Sequence, residues 1–402
     1  MKKPWRSAID IGSSKFCAVV GREEAPGTLS VLAASVVSSR GVKGGIVVDI
    51  REAAEAIKES VDRLEAQTRF RIEGALITMD GAHLECLPSL KTLSLSEQGL
   101  EVQPRHVRTL LKEAQSLNLP IQRRLVHALL QGYGVDGQMG IRNPIGMFAT
   151  RLEVSLRLLT GQASFLQNSV AAVNRAGLEV EGFLVCGLAG SYAVLTEEEK
   201  YLGTLLIDIG AETTGLFIFQ EGALVHTRIF PLGGRTATER LATSFGISLE
   251  EAEGLKKEHG TLHLPEKARE QTLLVRQGDS HHGLTRLALT ECLKRETFAL
   301  FELLQNELDL LGMDPTGPLV LTGGGSLLEG LVEEAAIFFK RSARLGKLME
   351  IRSEKRLSLL YADAIGLLNH TFLKAREEEP LSEGHPLIRW ATPLRRLFAD
   401  YF

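Results

Sequence analysis

From the amino terminus the chain alternates short apolar runs with amphipathic helical stretches, and it does so twice. Residues 7–21, SAIDIGSSKFCAVVG, and residues 205–219, LLIDIGAETTGLFIF, share one design. Each is an apolar strand ending in Asp-Ile-Gly, then a short polar turn, then a second apolar strand. The two aspartates, Asp10 and Asp208, stand close to half the chain apart, and strands followed by helices come after each. An internal repeat of this kind predicts two halves of common design.

The first half continues with a strand at 29–37, an amphipathic helix at 50–67 and a strand at 74–80. Between 85 and 160 the texture changes. LKTLSL, RRLVHALLQGYGV and TRLEVSLRLLT alternate apolar and polar residues as half-buried strands do, with a helical stretch at 104–116 between the first two. This reads as a small α/β insert in the first lobe. Helix returns at 162–176 and stops at Gly177. The second half predicts strands at 204–209, 215–219 and 223–229, helices at 235–245 and 248–258, and a loop-rich polar stretch at 261–282. A long helix at 284–311, a buried strand at 319–322 leading into GGGSLLEGL, and a last helix at 361–375 follow.

Composition adds little to this picture and excludes a few classes. The 402 residues suffice for two or more cores, and 44% hydrophobic with 24% charged residues is a soluble globular balance. A net charge of −4 argues against a broad nucleic-acid surface. Cys17, Cys86, Cys186 and Cys292 lie far apart and read as reduced, buried thiols of a cytoplasmic protein. His281 and His282, beside Asp279, read as surface loop rather than metal site. No signal segment precedes the first strand, and no apolar stretch is long enough to span a bilayer.

The chemistry resides in the repeated hairpins. A phosphate chain needs backbone N–H donors at a tight turn with little side-chain bulk. Gly12, Ser13 and Ser14 supply one such turn and Lys15 adds a point charge; Gly210, Thr213 and Thr214 supply the other. Asp10 and Asp208 cannot bind phosphate oxygens themselves, but they can hold a hydrated Mg²⁺ that does. Leu232-Gly233-Gly234 is a candidate close approach to the phosphates, and Gly323, Gly324, Gly325 and Ser326 lie between a buried strand and an expected helix start. No Walker motif and no dinucleotide fingerprint occurs. The residues therefore predict ATP with a divalent metal, bound between two lobes.

These ordered signals resemble the actin, Hsp70 and hexokinase superfamily. Within it the chain is similar to the FtsA family of bacterial cell-division proteins, through SRGVKGGIVVDI at 39–50, VHALLQGYGVDGQMGIRNPIGM at 126–147, RLEVSLRLLTG at 151–161, GLEVEGF at 177–183, AVLTEEEKYLG at 193–203 and AEGLKKEHG at 252–260. The resemblance implies an α/β, two-lobed actin-like ATPase fold with an FtsA-type small α/β subdomain inserted in the first lobe. The implied division is a first-lobe core of 1–84 with 162–196 and 357–375, the insert 85–161, a second-lobe core of 197–238 with 314–356, and an outer subdomain 239–313. It also implies that Glu253 and Lys256 lie on the helix contacting ribose and adenine. Two features depart from the family pattern. The second hairpin, usually D-I-G-G-G-T-T-D, has Ala211, Glu212 and Gly215 for Gly, Gly and Asp, and Glu239 stands where the connecting motif usually has Asp. ATP hydrolysis is accordingly expected to be slow at most. The implied function is an adaptor that polymerises through actin-like contacts and tethers filaments of the tubulin-like FtsZ to the inner membrane at the septum, recruiting later division proteins. A pilus-assembly adaptor of the PilM type and a small-molecule kinase of the same superfamily are the alternatives; no general base for a kinase is evident.

The carboxyl terminus is of another kind. Residues 376–386 are charged and proline-bearing, as a flexible linker is. On a helical wheel at about 100° per residue, Leu387, Trp390, Ala391, Leu394, Leu397, Phe398, Tyr401 and Phe402 fall in an arc of roughly 140°. Arg395 and Arg396 flank that face, the pattern of an amphipathic helix lying in a bilayer interface. Pro393 either kinks it or, with Thr392, starts a shorter helix of about 10 residues. Membrane targeting by this helix is also what the family resemblance implies.

Overall fold

The computed structural model describes residues 5–378 apart from 26, 117, 278–279, 350 and 354–356. The terminal membrane-helix candidates, Leu387 to Phe402, and linker residues 379–386 lie outside the described residues; 376–378 are the last turn of the helix Ala362–Glu378.

Two sheets of matching design form the body. In the first, Arg6–Ile11 pairs antiparallel with Lys15–Ala25, which pairs antiparallel with Thr28–Ser38. On its other side Arg6–Ile11 pairs parallel with Gly74–Met79, which pairs parallel with Glu179–Val185. The second sheet repeats this: Leu205–Ile209, Thr214–Gln220 and Ala223–Phe230 form the antiparallel meander, and Leu319–Thr322 and Ala343–Leu345 add in parallel. The repeat read in the sequence is thus a repeat of topology. Asp10 and Asp208 each stand next to last in the equivalent central strand.

The two lobes share a hydrophobic core. The inner face of the second sheet, with Leu206, Phe217, Phe219, Ile229 and Val320, joins the cluster that fills the first lobe. The helices Cys186–Val194 and Ala362–Glu378 cross in that shared layer. Helix Cys186–Val194 is apolar nearly all round, as a helix covered on all sides must be. The outer face of the second sheet, with Leu205, Ile207, Leu216 and Ile218, belongs to a second cluster around Phe301 of the helix Arg286–Leu311.

The insert has its own four-stranded sheet, ordered Gln138–Ile141, Arg123–Val135, Arg151–Gln162, Glu85–Ser94. The helix Pro104–Gln115 lays Val107, Leu110, Leu111 and Ala114 on it, closing a third core with Leu152, Val154, Leu156 and Leu158. The inner strands of the insert also pack against Ala223–Phe230 of the second lobe, where Gln131 Nε2 donates to the Leu224 carbonyl at 3.0 Å.

Three details differ from the sequence expectation. Ile351–Ser353, expected in the second lobe, pairs with Leu29–Val31 at the edge of the first-lobe sheet. The stretch expected as loop holds a β-hairpin, Thr272–Gln277 with Ser280–Thr285, which buries Val275 and Leu284; Leu274, His281 and His282 are exposed on it. The glycine cluster opens a 3-10 turn, Gly324–Leu327, and the α-helix begins only at Leu331. Left-handed backbone at Gly323 (φ 82°) and Gly330 (φ 85°) brackets that turn and keeps α-helix out.

Candidate functional site

The turns between the paired strands of the two sheets face each other. In the first, a β-carbon at Gly12 would lie 2.8 Å from the Lys15 carbonyl oxygen, so this turn requires glycine. In the second, Gly210 N donates to the Thr213 carbonyl at 2.9 Å. The connecting glycines pack on this second turn: Gly234 N donates to the Gly210 carbonyl at 3.0 Å and Arg235 N to that of Ala211 at 2.7 Å. A β-carbon at Gly233 would lie 2.7 Å from Gly210 O, which leaves no room for a side chain. Thr214 is buried and its hydroxyl holds the Leu232 carbonyl at 2.8 Å.

The glycine cluster closes the second lobe's side. A β-carbon at Gly323 would strike the Asp208 carboxylate, and one at Gly325 would meet the Ile209 carbonyl at 3.1 Å. Lys15 of the first lobe reaches this cluster, its Nζ standing 3.2 Å from where a Gly324 β-carbon would be. The Ser326 hydroxyl serves its own turn, donating to Gly323 O at 2.6 Å. On the helix Leu249–His259, Lys256 Nζ donates to Gly234 O at 2.7 Å and to Thr238 Oγ1 at 2.6 Å, and pairs with Glu253 at 2.7 Å. The sequence-nominated residues of the two hairpins, the Gly-Gly connection, the Glu253–Lys256 helix and the glycine cluster therefore meet in one place. Ser14 is the exposed member; its carbonyl accepts from Ser39 N at 3.0 Å.

Two further carboxylates join Asp10 and Asp208. Asp80 follows the strand Gly74–Met79, and Asp363 lies in the first turn of Ala362–Glu378, where it accepts from Gly190 N at 3.0 Å. All four have raised pKa values. For Asp10 burial is the cause, partly offset by the Thr78 hydroxyl (2.8 Å) and the Lys15 charge. Burial, then the charges of Asp80 and Asp10, pushes Asp208 up to about 7. Asp80 is raised by burial, and Asp363 well above the usual range by burial and its three acidic neighbours. Four half-buried carboxylates, Asp10 and Asp208 beside the Lys15 charge, form a site that favours a cation.

The second hairpin touches the first lobe directly. Thr213 Oγ1 donates to Asp80 Oδ2 at 2.6 Å, and the Glu212 carboxylate accepts from Gly44 N at 2.6 Å. Ser13 Oγ accepts from Gly45 N at 2.8 Å. Gly215 pairs with Asp208 and is buried; a β-carbon there, where the resemblance leads one to expect an aspartate, would run into the Phe217 ring. Asp80, Asp363 and the Gly44–Gly45 turn were not singled out from sequence. The available signal was Asp80-Gly81 closing a buried strand, in the place where Gly323 closes the equivalent strand Leu319–Thr322.

With this geometry in place, known proteins give the context. A family model described as "Cell division protein FtsA" matches residues 205–366, and one described as "SHS2 domain inserted in FTSA" matches 81–160. The cell division protein FtsA of Pseudomonas aeruginosa is 34% identical over 380 residues, 93% of this chain and 91% of that one. The chain belongs to the FtsA family of bacterial cell-division proteins. The FtsA of Bacillus subtilis is 30% identical over 341 residues, 84% of this chain and 77% of the other. Among solved structures, the PilM–PilN type IV pilus biogenesis complex shares the fold with TM-score 0.65 at 18% identity, covering 92% of this chain and 98% of that one. MreB5 of Spiroplasma citri bound to AMPPNP shares it with TM-score 0.55 at 14% identity, covering 95% and 100%. The chain is thus an actin-fold cell-division protein whose insert, a feature of its family, is the small subdomain described above. The likeness to PilM is one of fold, whereas the likeness to FtsA extends to sequence.

Proposed function

We propose that the chain binds ATP with Mg²⁺ between the two hairpins, assembles through actin-like longitudinal contacts, and tethers FtsZ filaments to the cytoplasmic face of the inner membrane at the division septum. The observation that carries the nucleotide reading is the convergence of two equivalent Asp-Ile-Gly turns on one cleft that Lys15 spans. MreB5, of the same fold, has been solved with AMPPNP. The donor set suits magnesium, which takes oxygen ligands and keeps much of its water. Among the described residues no three acidic, histidine or cysteine side chains converge tightly enough to cage a cation directly, so Asp10 and Asp208 would hold the ion through water. Bound there, Mg²⁺ would neutralise phosphate charge. Gly12, Ser13 and Ala211 would offer backbone N–H groups to the phosphates, with Gly210 shaping the turn through its own bond to Thr213, Lys15 a point charge, and Glu253 and Lys256 polar contacts to the ribose and base. Turnover is slow in this reading, because Gly215 supplies no carboxylate beside Asp208 and Glu212 adds negative charge near the phosphates.

Membrane attachment rests on the apolar, arginine-flanked face of 387–402; no described helix is long and apolar enough to cross a membrane. Truncation after Glu383 is expected to abolish sedimentation with anionic liposomes, and unchanged sedimentation rejects the tether. Co-sedimentation with FtsZ on lipid, with and without ATP, tests the adaptor role. Phosphorylation of a sugar by the purified chain would decide for a kinase instead.

A further inference from the structure

We propose that the Gly44–Gly45 turn is a third oxyanion-binding element of the cleft, held by the Glu212 carboxylate and able to take a terminal phosphate oxygen of the nucleotide in its place. The phosphate part rests on the ATP reading above. The turn joins two short strands, Val42–Lys43 and Ile46–Val47. Its glycines have φ of 57° and 75°, the left-handed pair of a type I′ turn. Such a turn leaves successive N–H groups unpaired within the hairpin, and two of them find oxygen acceptors from elsewhere in the chain. Gly45 N donates to Ser13 Oγ at 2.8 Å, fastening the turn to the first phosphate hairpin. Gly44 N donates across the cleft to Glu212 Oε2 at 2.6 Å, the short length of a charge-assisted bond.

The tip is built for close approach. A β-carbon at Gly45 would lie 2.9 Å from both the Asp80 β-carbon and the Gly81 nitrogen, so the turn rests on Asp80-Gly81. A β-carbon at Gly44 would meet nothing, so no other residue packs on that side of the tip. The other Glu212 oxygen stands 3.5 Å from Arg235 Nε. To a backbone N–H, a carboxylate oxygen and a phosphate oxygen are the same kind of acceptor. Glu212 lies in the phosphate hairpin itself, so it is a tethered anion placed beside the site of a free one. It draws the second lobe onto the first without nucleotide, and an incoming phosphate must displace it against like charge.

The full-length chain carrying Glu212→Ala or Glu212→Gln tests this in two ways. Without nucleotide, amide hydrogen exchange over residues 41–49 is expected to quicken about tenfold in E212A, as loss of a bond to a charged group predicts, while E212Q, which keeps an acceptor, stays nearer wild type. With Mg²⁺ and a fluorescent N-methylanthraniloyl ATP, both variants are expected to bind several-fold tighter than wild type. Unchanged exchange in E212A overturns the cleft contact. Equal or weaker nucleotide binding by both variants overturns the competition and makes Glu212 a supporter of the ligand or its metal. No binding by any form, wild type included, overturns the ATP reading and the phosphate ligand with it, while quickened exchange alongside that result supports the carboxylate contact.

Discussion

Gly366→Ala sets two effects of opposite sign against each other. Gly366 lies where Ala362–Glu378 crosses Cys186–Val194, in the layer shared by both lobes. A β-carbon there would stand 2.7 Å from the Ala189 carbonyl carbon and 3.2 Å from Ala193 N, with the Ala189 oxygen nearer still. Carbon atoms pack at about 3.5–4.0 Å, so the helices would have to part by roughly 1 Å, and the obstacle is backbone that cannot rotate aside. Forced separations of this kind cost about 1–3 kcal/mol. Alanine gains about 1 kcal/mol over glycine inside a helix. We expect the steric term to win by up to ~2 kcal/mol. With an unfolding entropy near 2.1 cal/mol/K per residue, that lowers the melting midpoint of a chain this long by roughly 2–3 °C. Gly254→Ala is the control. It sits in Leu249–His259 with nothing near its would-be β-carbon, so only the propensity gain applies and the midpoint should rise by about 1 °C. Differential scanning calorimetry of the three proteins decides. If Gly366→Ala melts at or above wild type, the close crossing is not as described.

Three further outcomes are expected. Gly215→Asp, which restores the family's usual residue, should lower the melting midpoint and soluble yield because Phe217 holds the space and the new carboxylate would be buried beside Asp208; wild-type stability would refute this. Thr213→Val removes the hydroxyl donor to Asp80, which keeps the Gly81 N–H at 2.8 Å, and should cost about 1.5–3 kcal/mol in a thermal or denaturant melt. Burial, with the charges of His370 and Lys374, pushes His127 down to about 3, so between pH 6.5 and 4 the unfolded chain holds more protons at this group. Its contribution is full above pH 6.5 and is lost as pH falls; His127→Phe should therefore lose less stability than wild type over that window, as paired denaturant titrations at pH 7 and pH 4.5 would reveal.

What sequence could disclose depended on how local the signal was. The two hairpins were legible because strand, Asp-Ile-Gly and turn are contiguous, and the same pattern recurs. The insert was legible because alternation marks sheets covered on one face. Asp80 and Asp363 were not, because nothing near them in the chain marks chemistry; they reach Asp10 only through the parallel pairing of Gly74–Met79 and the placing of Ala362–Glu378 against the first sheet. The Gly44–Gly45 turn belongs to a stretch that identified the family, yet its contact with Glu212 joins residues of different lobes. Ile351–Ser353 is a three-residue strand, too short to reveal which sheet it joins. The hairpin after Thr272 hid because its second strand, SHHGLT, is polar enough to resemble loop.

The position of the insert against Ala223–Phe230 has a consequence for assembly. That strand is the margin of the second sheet, and an open margin is where a neighbouring molecule could add a strand. Here the chain shields it from within, with Gln131 occupying the Leu224 carbonyl and the insert strands lying against it. Copies of this protein are thereby steered away from zipping edge to edge at that margin. Any contact between copies would therefore have to use other surfaces than this margin.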